Sequence, residues 1–367
     1  MGAAGLPVFT NRPSVRGVDA LDAIMVVNII RLMRLAKPAF FAATALVTLL
    51  ATAGIARAAS PDSQESHVTA VGLHNTYDKA AYPHLADALD TGAGLIEIDI
   101  WVFGVGVKWR VSHDLPLTSM SNNCTWGGMR SNDPDQGFDT CLDNLKQWHD
   151  ANPGHRPITV KIEMKNGFNV QAHASAGDFD NLIRSKLGDA VFTPGQLLGN
   201  HSTLDEAAKA DNWPTRAQLS GKFLFEIIPG TFERQNPFDH LKTDVEYGRW
   251  VRDNPHTAEA FPSVLDAQAG DPRTRFSETS IRPWFVFFDG SATSYVGGGI
   301  DPQWYDDNHY FLVMTDGQAV TPTLDSRSPD AAAAVQRVKD LARAHASIVS
   351  TGWYDAGQVL STQVDRG

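Results

Sequence analysis

The 367-residue chain lacks the signatures of several large protein classes. No G-x-G-x-x-G sequence follows a predicted strand and no Walker sequence is present, so a nucleotide-binding sheet has no support. No G-x-S-x-G is present, which removes the nucleophile of the usual serine hydrolases. Positive charge is also scarce, since beyond residue 59 there are 25 Lys and Arg against 40 Asp and Glu. Such a surface repels nucleic acid, and we expect no nucleic-acid partner.

One uncharged apolar run stands near the N-terminus, at residues 39–55, and it follows the basic residues Arg31, Arg34 and Lys37. Small residues suited to a signal peptidase come next, around Ala58 and Ala59. The run is shorter than the roughly 20 apolar residues that span a bilayer, so a signal is favoured over an anchor. The sequence therefore predicts a cleaved export signal with an extension over residues 1–59, a true start at Met33 and a secreted protein.

The chain has only two cysteines, Cys124 and Cys141, and both lie in the part predicted to be exported. The accompanying Cys or His spacing of a metal site is missing. In an oxidising compartment, two cysteines 17 residues apart are most simply a disulfide that closes a loop. We predict that bond.

From residue 60 onward, short β-rich runs alternate with longer helical or irregular stretches. Strands are predicted at 68–73, 95–102, 107–111, 158–164, 222–228, 284–288, 310–314 and 347–350, with a fainter one at 261–267. Helices are predicted at 80–91, 141–152, 179–187 and 330–345. This alternation predicts a parallel sheet that is either open or closed. Because nucleotide-binding motifs are missing, we expect a single-domain TIM-type (β/α)8 barrel over residues 60–367.

Carboxylates lie on or at the ends of these strands. Glu97 and Asp99 are two residues apart and therefore point to the same face of one strand. Glu163 repeats the pattern on the next long strand, and the amide of Asn75 follows the first strand. Buried anions need a compensating cation, and oxygen ligands suit Ca²⁺, or alternatively Mg²⁺. These four residues are the predicted metal ligands.

Two purely structural interpretations of the same carboxylates stay open. They can form a salt-bridge network with Lys161, Lys165 and Arg110, or belong to an edge strand with its acids in water. Taken singly, each carboxylate is more often structural than functional. The convergence of several strand ends favours a site.

Two histidines, His74 and His113, follow different predicted strands and can flank a reacting group. Histidine titrates near neutral pH and can act as a base on one side of a substrate and as an acid on the other. Lys165 is a candidate for binding a phosphate. A cation between two imidazoles suits displacement at phosphorus, where stabilisation of charge does most of the work.

These residues resemble the phosphatidylinositol-specific phospholipase C-like phosphodiesterases, and most closely their calcium-dependent branch. The shared motifs are His74-Asn75-Thr76-Tyr77, Glu97-x-Asp99-x-Trp101, His113 and Glu163. The resemblance implies a TIM barrel, His74 and His113 as the acid–base pair, and Asn75, Glu97, Asp99 and Glu163 as calcium ligands. It covers roughly residues 68–165.

The chain also departs from that branch. His113-Asp114 and Glu163-x-Lys165 resemble the glycerophosphodiester phosphodiesterases, although His74-Asn75 replaces their opening His-Arg-Gly. A sphingomyelinase D-like enzyme with a disulfide loop is a further alternative, and a non-catalytic binding barrel is the alternative outside enzymes. We expect a secreted, monomeric, calcium-dependent phosphodiesterase that cleaves phosphatidylinositol-type phospholipids and touches a membrane surface only transiently.

Overall fold

The computed structural model of the protein describes residues 58–103, 109–116, 121–235 and 241–367. The apolar run of the predicted export signal and the extension before it lie outside the described residues, as do the first two residues of the strand predicted at 107–111. Within the described ranges, no helix is both long enough and apolar enough to cross a membrane.

Eight parallel strands close into a barrel, which confirms the predicted fold class. In chain order the strands are β1 (Val68–Leu73), β2 (Leu95–Val102), β3 (Trp109–Val111), β4 (Ile158–Met164), β5 (Phe223–Pro229), β6 (Ala260–Leu265), β7 (Phe287–Ser291), β8 (Phe311–Thr315), β9 (Ile348–Thr351) and β10 (Gln363–Asp365). The barrel runs β1-β2-β4-β5-β6-β7-β8-β9 and closes between β9 and β1. The two short strands are antiparallel additions, β3 on β2 and β10 on β1.

Helices connect and cover the strands. Within the described ranges they are α1 (Leu85–Asp90), α2 (Phe138–Ala151), α3 (Ala176–Leu187), α4 (Pro194–Leu198), α5 (Leu204–Lys209), α6 (Thr231–Gln235), α7 (Thr243–Asp253), α8 (Ala292–Tyr295), α9 (Gln303–Asp307), α10 (Ala331–Arg343) and α11 (Gly357–Leu360). The same described ranges also contain six 3₁₀ turns, at Glu65–His67, Val170–Ala172, Gly188–Ala190, Pro272–Arg275, Thr279–Trp284 and Gly317–Ala319. The long α10 begins at the cap residue Asp330, whose carboxylate accepts the Ala333 N–H at 2.9 Å.

Closure of the barrel requires a glycine on β1. A Cβ on Gly72 would stand 2.7 Å from Ile348 Cγ2 on β9 and 3.0 Å from Leu95 Cβ on β2. Those distances are shorter than carbon contacts allow, so a larger residue would push the neighbouring strands apart.

Two predicted elements begin at least three residues later than expected, and each has a proline just before its observed or predicted start. The helix predicted from residue 80 begins at Leu85 because Pro83 restricts the preceding backbone, and His84 serves as the cap. The strand predicted at 284–288 is wrong in its first residues, since Pro283 lies in a 3₁₀ turn that ends at Trp284. That strand instead spans Phe287–Ser291 and therefore includes Asp289.

The interior of the barrel has a polar layer above an aromatic one. Lys161 on β4 reaches Asp289 on β7 at 2.6 Å, and two strands separate these in the sheet, so the contact crosses the interior. Phe287 precedes Asp289 by two residues on the same face, one layer nearer the N-terminal ends of the strands. Its ring centroid lies 4.8 Å from that of Phe261 and 4.6 Å from that of Phe311. These stacked rings fill the lower half of the barrel.

The predicted disulfide is present between Cys124 and Cys141. Cys141 lies in α2, and Cys124 lies in the loop that leads to this helix. Both are fully buried, so the bond fixes the loop against the helix that packs on the barrel.

Candidate active site

Three of the predicted metal ligands meet at the carboxyl-terminal end of the barrel. Glu97 and Asp99 alternate with Ile96, Ile98 and Ile100, so the pleat of β2 turns both carboxylates inward. The register of β2 against β4 places Asp99 beside Glu163. Glu97, Asp99 and Glu163 offer carboxylate oxygens that all lie within 4.8 Å of one another. We call these three residues the carboxylate cluster.

Glu97 connects the cluster to the loop after β1. Its Oε2 accepts the backbone N–H of Asn75 at 2.9 Å and lies 3.1 Å from His74 Nε2. Its Oε1 lies 3.3 Å from Lys161 Nζ. Burial disfavours the charge of this carboxylate, but Lys161 and His74 outweigh burial and hold the pKa of Glu97 below its ordinary value. Glu97 is therefore an anion at neutral pH.

Asp99 has the opposite electrostatic character. Burial raises the pKa of Asp99 well above its ordinary value, and the neighbouring carboxylates of Glu163 and Glu97 raise it further. Its Oδ2 accepts a hydrogen bond from Tyr77 Oη at 2.7 Å and lies 2.7 Å from Lys165 Nζ. Its other oxygen, Oδ1, is buried and has no hydrogen-bond partner among the described residues.

Two buried lysines neutralise part of this negative charge. Lys165 Nζ lies 2.7 Å from Asp99 and 2.9 Å from Glu163, and Lys161 bridges Glu97 and Asp289. Lys161 and Lys165 therefore form the salt-bridge network that the sequence left open as an alternative. Arg110 instead donates to the Pro116 carbonyl and stacks 4.2 Å above the Phe103 ring. The Lys165 ammonium is committed to two carboxylates, whereas the sequence suggested that it faces a phosphate.

The carboxylate cluster is suited to a hard divalent cation. Besides Asp99 Oδ1, the side-chain oxygen of Asn75 is buried without a hydrogen-bond partner among the described residues. Orphaned oxygens beside clustered carboxylates are costly in an apoprotein, and an oxygen-seeking ion relieves that cost. Three carboxylates and one amide oxygen fit Ca²⁺ better than zinc, which favours nitrogen and sulfur.

His74 stands at the edge of a cleft that opens above the cluster. Its backbone N–H donates to the Thr351 carbonyl at 3.0 Å, and Tyr354 Oη donates to its carbonyl at 2.8 Å, so the end of β9 and the loop after it fix the backbone of His74. The cleft encloses about 680 Å³. Its lining also includes Glu97 and Glu163. Half of the His74 side chain is exposed, so the ring is accessible from this cleft.

His113 lies at the end of β3, which runs antiparallel to β2. The Ser112 N–H donates to the Asp99 carbonyl at 3.2 Å, so His113 follows a residue anchored at the level of the cluster. Its ring is about half exposed, and its Nδ1 lies 3.2 Å from Asp114 Oδ1. Both side chains therefore face solvent at this end of the barrel.

The sequence did not single out Glu226 and Asp289, each the one acid of an otherwise apolar strand. Glu226 lies opposite Lys161 in the register of β4 and β5. Burial, together with Asp289, raises the pKa of Glu226 to about 8. The cleft is also lined by Arg327 and Tyr354, from loops with no recognisable motif. Their positions near β9, the last strand of the barrel, are the one sign in the sequence that they line the cleft.

Residues 130–246 match the family described as phosphoinositide phospholipase C, Ca²⁺-dependent. The fold matches a calcium-dependent phosphatidylinositol-specific phospholipase C from Streptomyces antibioticus with a TM-score of 0.81 and 49% identity, over 83% of this chain and 99% of that one. A calcium-dependent phosphoinositol-specific phospholipase C from a Pseudomonas species matches with a TM-score of 0.60 and 19% identity, over 81% and 93% of the two chains. No curated protein matches the sequence significantly.

Proposed function

Because the chain belongs to the calcium-dependent phosphoinositide phospholipase C family, we propose that it cleaves phosphatidylinositol-type lipids in the cleft, with His74 and His113 as the acid–base pair and a cyclic inositol phosphate as product. Membership makes the chain a phosphodiesterase of the phospholipase C class. The observation that carries the proposal is the contact between His74 Nε2 and Glu97 within the carboxylate cluster, because it joins a proton acceptor to a cation site.

In this mechanism His74 donates its Nε2–H to Glu97 Oε2, 3.1 Å away, and keeps a lone pair on Nδ1. That nitrogen accepts the proton of the inositol 2-hydroxyl as its oxygen attacks phosphorus. The new O–P bond forms while the bond from phosphorus to the glycerol oxygen breaks. His113, whose Nδ1 lies 3.2 Å from Asp114 Oδ1, gives a proton to that oxygen as the acid of the pair, and diacylglycerol leaves.

Asn75, Glu97, Asp99 and Glu163 would hold the calcium ion that the family requires. When bound, Ca²⁺ would neutralise the charge of the phosphate and lower the pKa of the attacking hydroxyl. Glu97 is ready for this role, since Lys161 and His74 offset the effect of burial and keep it ionised. Arg327, which lines the cleft and is 47% exposed, is positioned to meet an anionic headgroup.

We propose that the lipid reaches the cleft from a membrane surface through exposed apolar side chains beside it. Phe232 follows Thr231, which lines the cleft, and is 44% exposed. The centroid of its ring lies 5.5 Å from that of the Trp101 ring. Leu115, two residues after His113, is 49% exposed. Secretion is part of the same proposal, and the buried disulfide supports it because such bonds persist in oxidising compartments.

Phosphorus NMR of phosphatidylinositol vesicles tests this function. With calcium we expect a cyclic inositol phosphate signal, and a calcium chelator should abolish it. Parallel samples of glycerophosphoinositol and sphingomyelin define the headgroup. Turnover of either of these two, with phosphatidylinositol left intact, would overturn the proposed substrate. A linear phosphate as the first product would overturn the cyclic route.

A further inference from the structure

A second cluster of ligating side chains lies at the opposite end of the barrel from the cleft. His67 Nε2 lies 2.9 Å from Asp211 Oδ2, and His309 Nδ1 lies 3.8 Å from Asp211 Oδ1. The ligand atoms of the three residues all lie within 4.8 Å of one another. We call His67, Asp211 and His309 the histidine cluster. It shares no residue with the carboxylate cluster.

Three separate segments bring these side chains together. His67 ends a 3₁₀ turn immediately before β1, and His309 stands two residues before β8. Asp211 follows α5 in a turn. Asp211 (φ 52°) and His309 (φ 55°) both adopt the left-handed backbone region, which Asp and His enter more readily than most residues. The cluster therefore lies where strands enter the barrel, the end that usually serves stability in this fold.

The spacing matches a small transition-metal ion. Bonds of about 2.0–2.2 Å in a tetrahedral zinc site place neighbouring ligand atoms about 3.4 Å apart. The contacts of Asp211 with His67 and His309, at 2.9 and 3.8 Å, lie on either side of that value. With all three ligand atoms within 4.8 Å of one another, the cluster is compatible with one shared ion.

The surroundings of Asp211 resemble the outer shell of a metal ligand. Ser66 Oγ donates to Asp211 Oδ1 at 2.8 Å, and Gln64 Nε2 donates to the Asp211 carbonyl at 2.5 Å. The bond from Ser66 holds the Asp211 carboxylate in one orientation, and the bond from Gln64 fixes the backbone that carries it. Asp211 also lines a cavity of about 430 Å³, which gives an ion and a coordinated water a route to the cluster.

We propose that His67, Asp211 and His309 bind a divalent transition-metal ion, with zinc as the best match, and that water completes its coordination. Two imidazoles and one carboxylate select zinc or its neighbours in the first transition row, and they disfavour Ca²⁺, which takes oxygen ligands. The two ends of the barrel thus bind different metals. A metal here joins the entry to β1, the turn after α5 and the entry to β8, and it stabilises the fold without taking part in catalysis.

Calorimetric titration of the full chain with ZnCl₂ tests the proposal, with CaCl₂ at saturation so that the carboxylate cluster is occupied. We expect one zinc ion per chain, and a rise in Tm of at least about 3 °C at a hundredfold excess over Kd. His309→Ala and His67→Gln should each weaken binding by at least about tenfold. His256→Ala, which changes an exposed histidine outside the cluster, should bind zinc as the parent does.

Calcium-dependent turnover provides the check on folding, since neither variant alters the cleft. Variants that retain turnover and lose zinc binding support the site. Equal zinc affinity in the parent and both variants, or no binding by the parent, would overturn it. If a variant loses turnover, Co²⁺ is added to the parent, because the absorption spectrum of Co²⁺ reports its coordination. A spectrum of four-coordinate Co²⁺ with histidine ligands supports the site, and a spectrum of Co²⁺ in water only would overturn it.

Discussion

The two layers inside the barrel contrast in composition and in energetic cost. The lower layer contains Phe261, Phe287 and Phe311, with Trp213 packed against all three, and it is fully desolvated with no charge. The upper layer, from Lys161 and Asp289 to the carboxylate cluster, is almost equally buried but consists of ionisable groups. Burial of aromatic rings stabilises a fold, whereas burial of charges costs free energy even when they are paired.

The difference shows how the chain divides its tasks. The same strand carries both layers: on β7, Phe287 packs below and Asp289 pairs with Lys161 above. A separation of two residues along β7 therefore leads from a side chain that stabilises the fold to one in the charged layer below the cleft. The lower layer offsets the cost of the upper, and function is concentrated where the local rule of an apolar interior is broken.

The largest expected effect concerns activity at the upper end. His74→Ala and His113→Ala should each lower kcat by about 10²–10⁴-fold, because each removes one proton-transfer group. His256→Ala is the matched control and should retain the parent kcat. Steady-state assays on phosphatidylinositol vesicles with calcium at saturation measure this. A kcat close to the parent value in either variant would remove that histidine from the mechanism.

Prediction from the sequence was most accurate where several neighbouring residues supported the same strand or the same site. The bounds of β1, β2 and β4 were predicted to the residue, since each is rich in β-branched and other apolar residues, and Glu97, Asp99 and Glu163 meet as expected. Glu226 was missed because a single acid in an apolar strand gives no pattern, and Asp289 was missed because the strand that carries it was predicted to end at residue 288. Only the three-dimensional pairing with Lys161, from strands far apart in sequence, identifies them.

A change in the lower layer should affect stability and spare the chemistry. Phe287→Ala leaves a cavity between Phe261 and Phe311 and should lower the free energy of unfolding by about 3–5 kcal/mol. Urea denaturation measures the loss, and kcat at a temperature where the variant is folded should stay near that of the parent. Phe232→Ala, at an exposed phenylalanine, is the control and should change stability far less. Equal losses in the two variants would contradict the division between layers.

A smaller effect concerns pH and Glu226, a fully buried acid of the upper layer. Its pKa is about 8 in the folded protein, against 4.5 for an ordinary glutamate, so between these values the folded state binds more protons than the unfolded state. The free energy of unfolding therefore falls as pH rises from about 4.5 to 8, by at most about 1.4 kcal/mol per pH unit from this group. Glu226→Gln removes the titration and should flatten that decline.

Urea denaturation at pH 5, 6, 7 and 8 measures both proteins. Other groups titrate in each of them, so the difference between the two slopes isolates Glu226. Parallel slopes would mean that Glu226 is ionised in the folded barrel.

The central claim is that the carboxylate cluster binds calcium for a phosphodiesterase reaction, and calcium calorimetry tests it most directly. The parent chain should bind one Ca²⁺, and Glu163→Gln and Asp99→Asn should each weaken that binding at least about tenfold, because each replaces a carboxyl group, which can ionise to bind the ion, with a neutral amide. The exposed Asp62→Asn is the control and should bind as the parent does. Unchanged calcium affinity in both cluster variants, with folding intact by circular dichroism, would contradict the account.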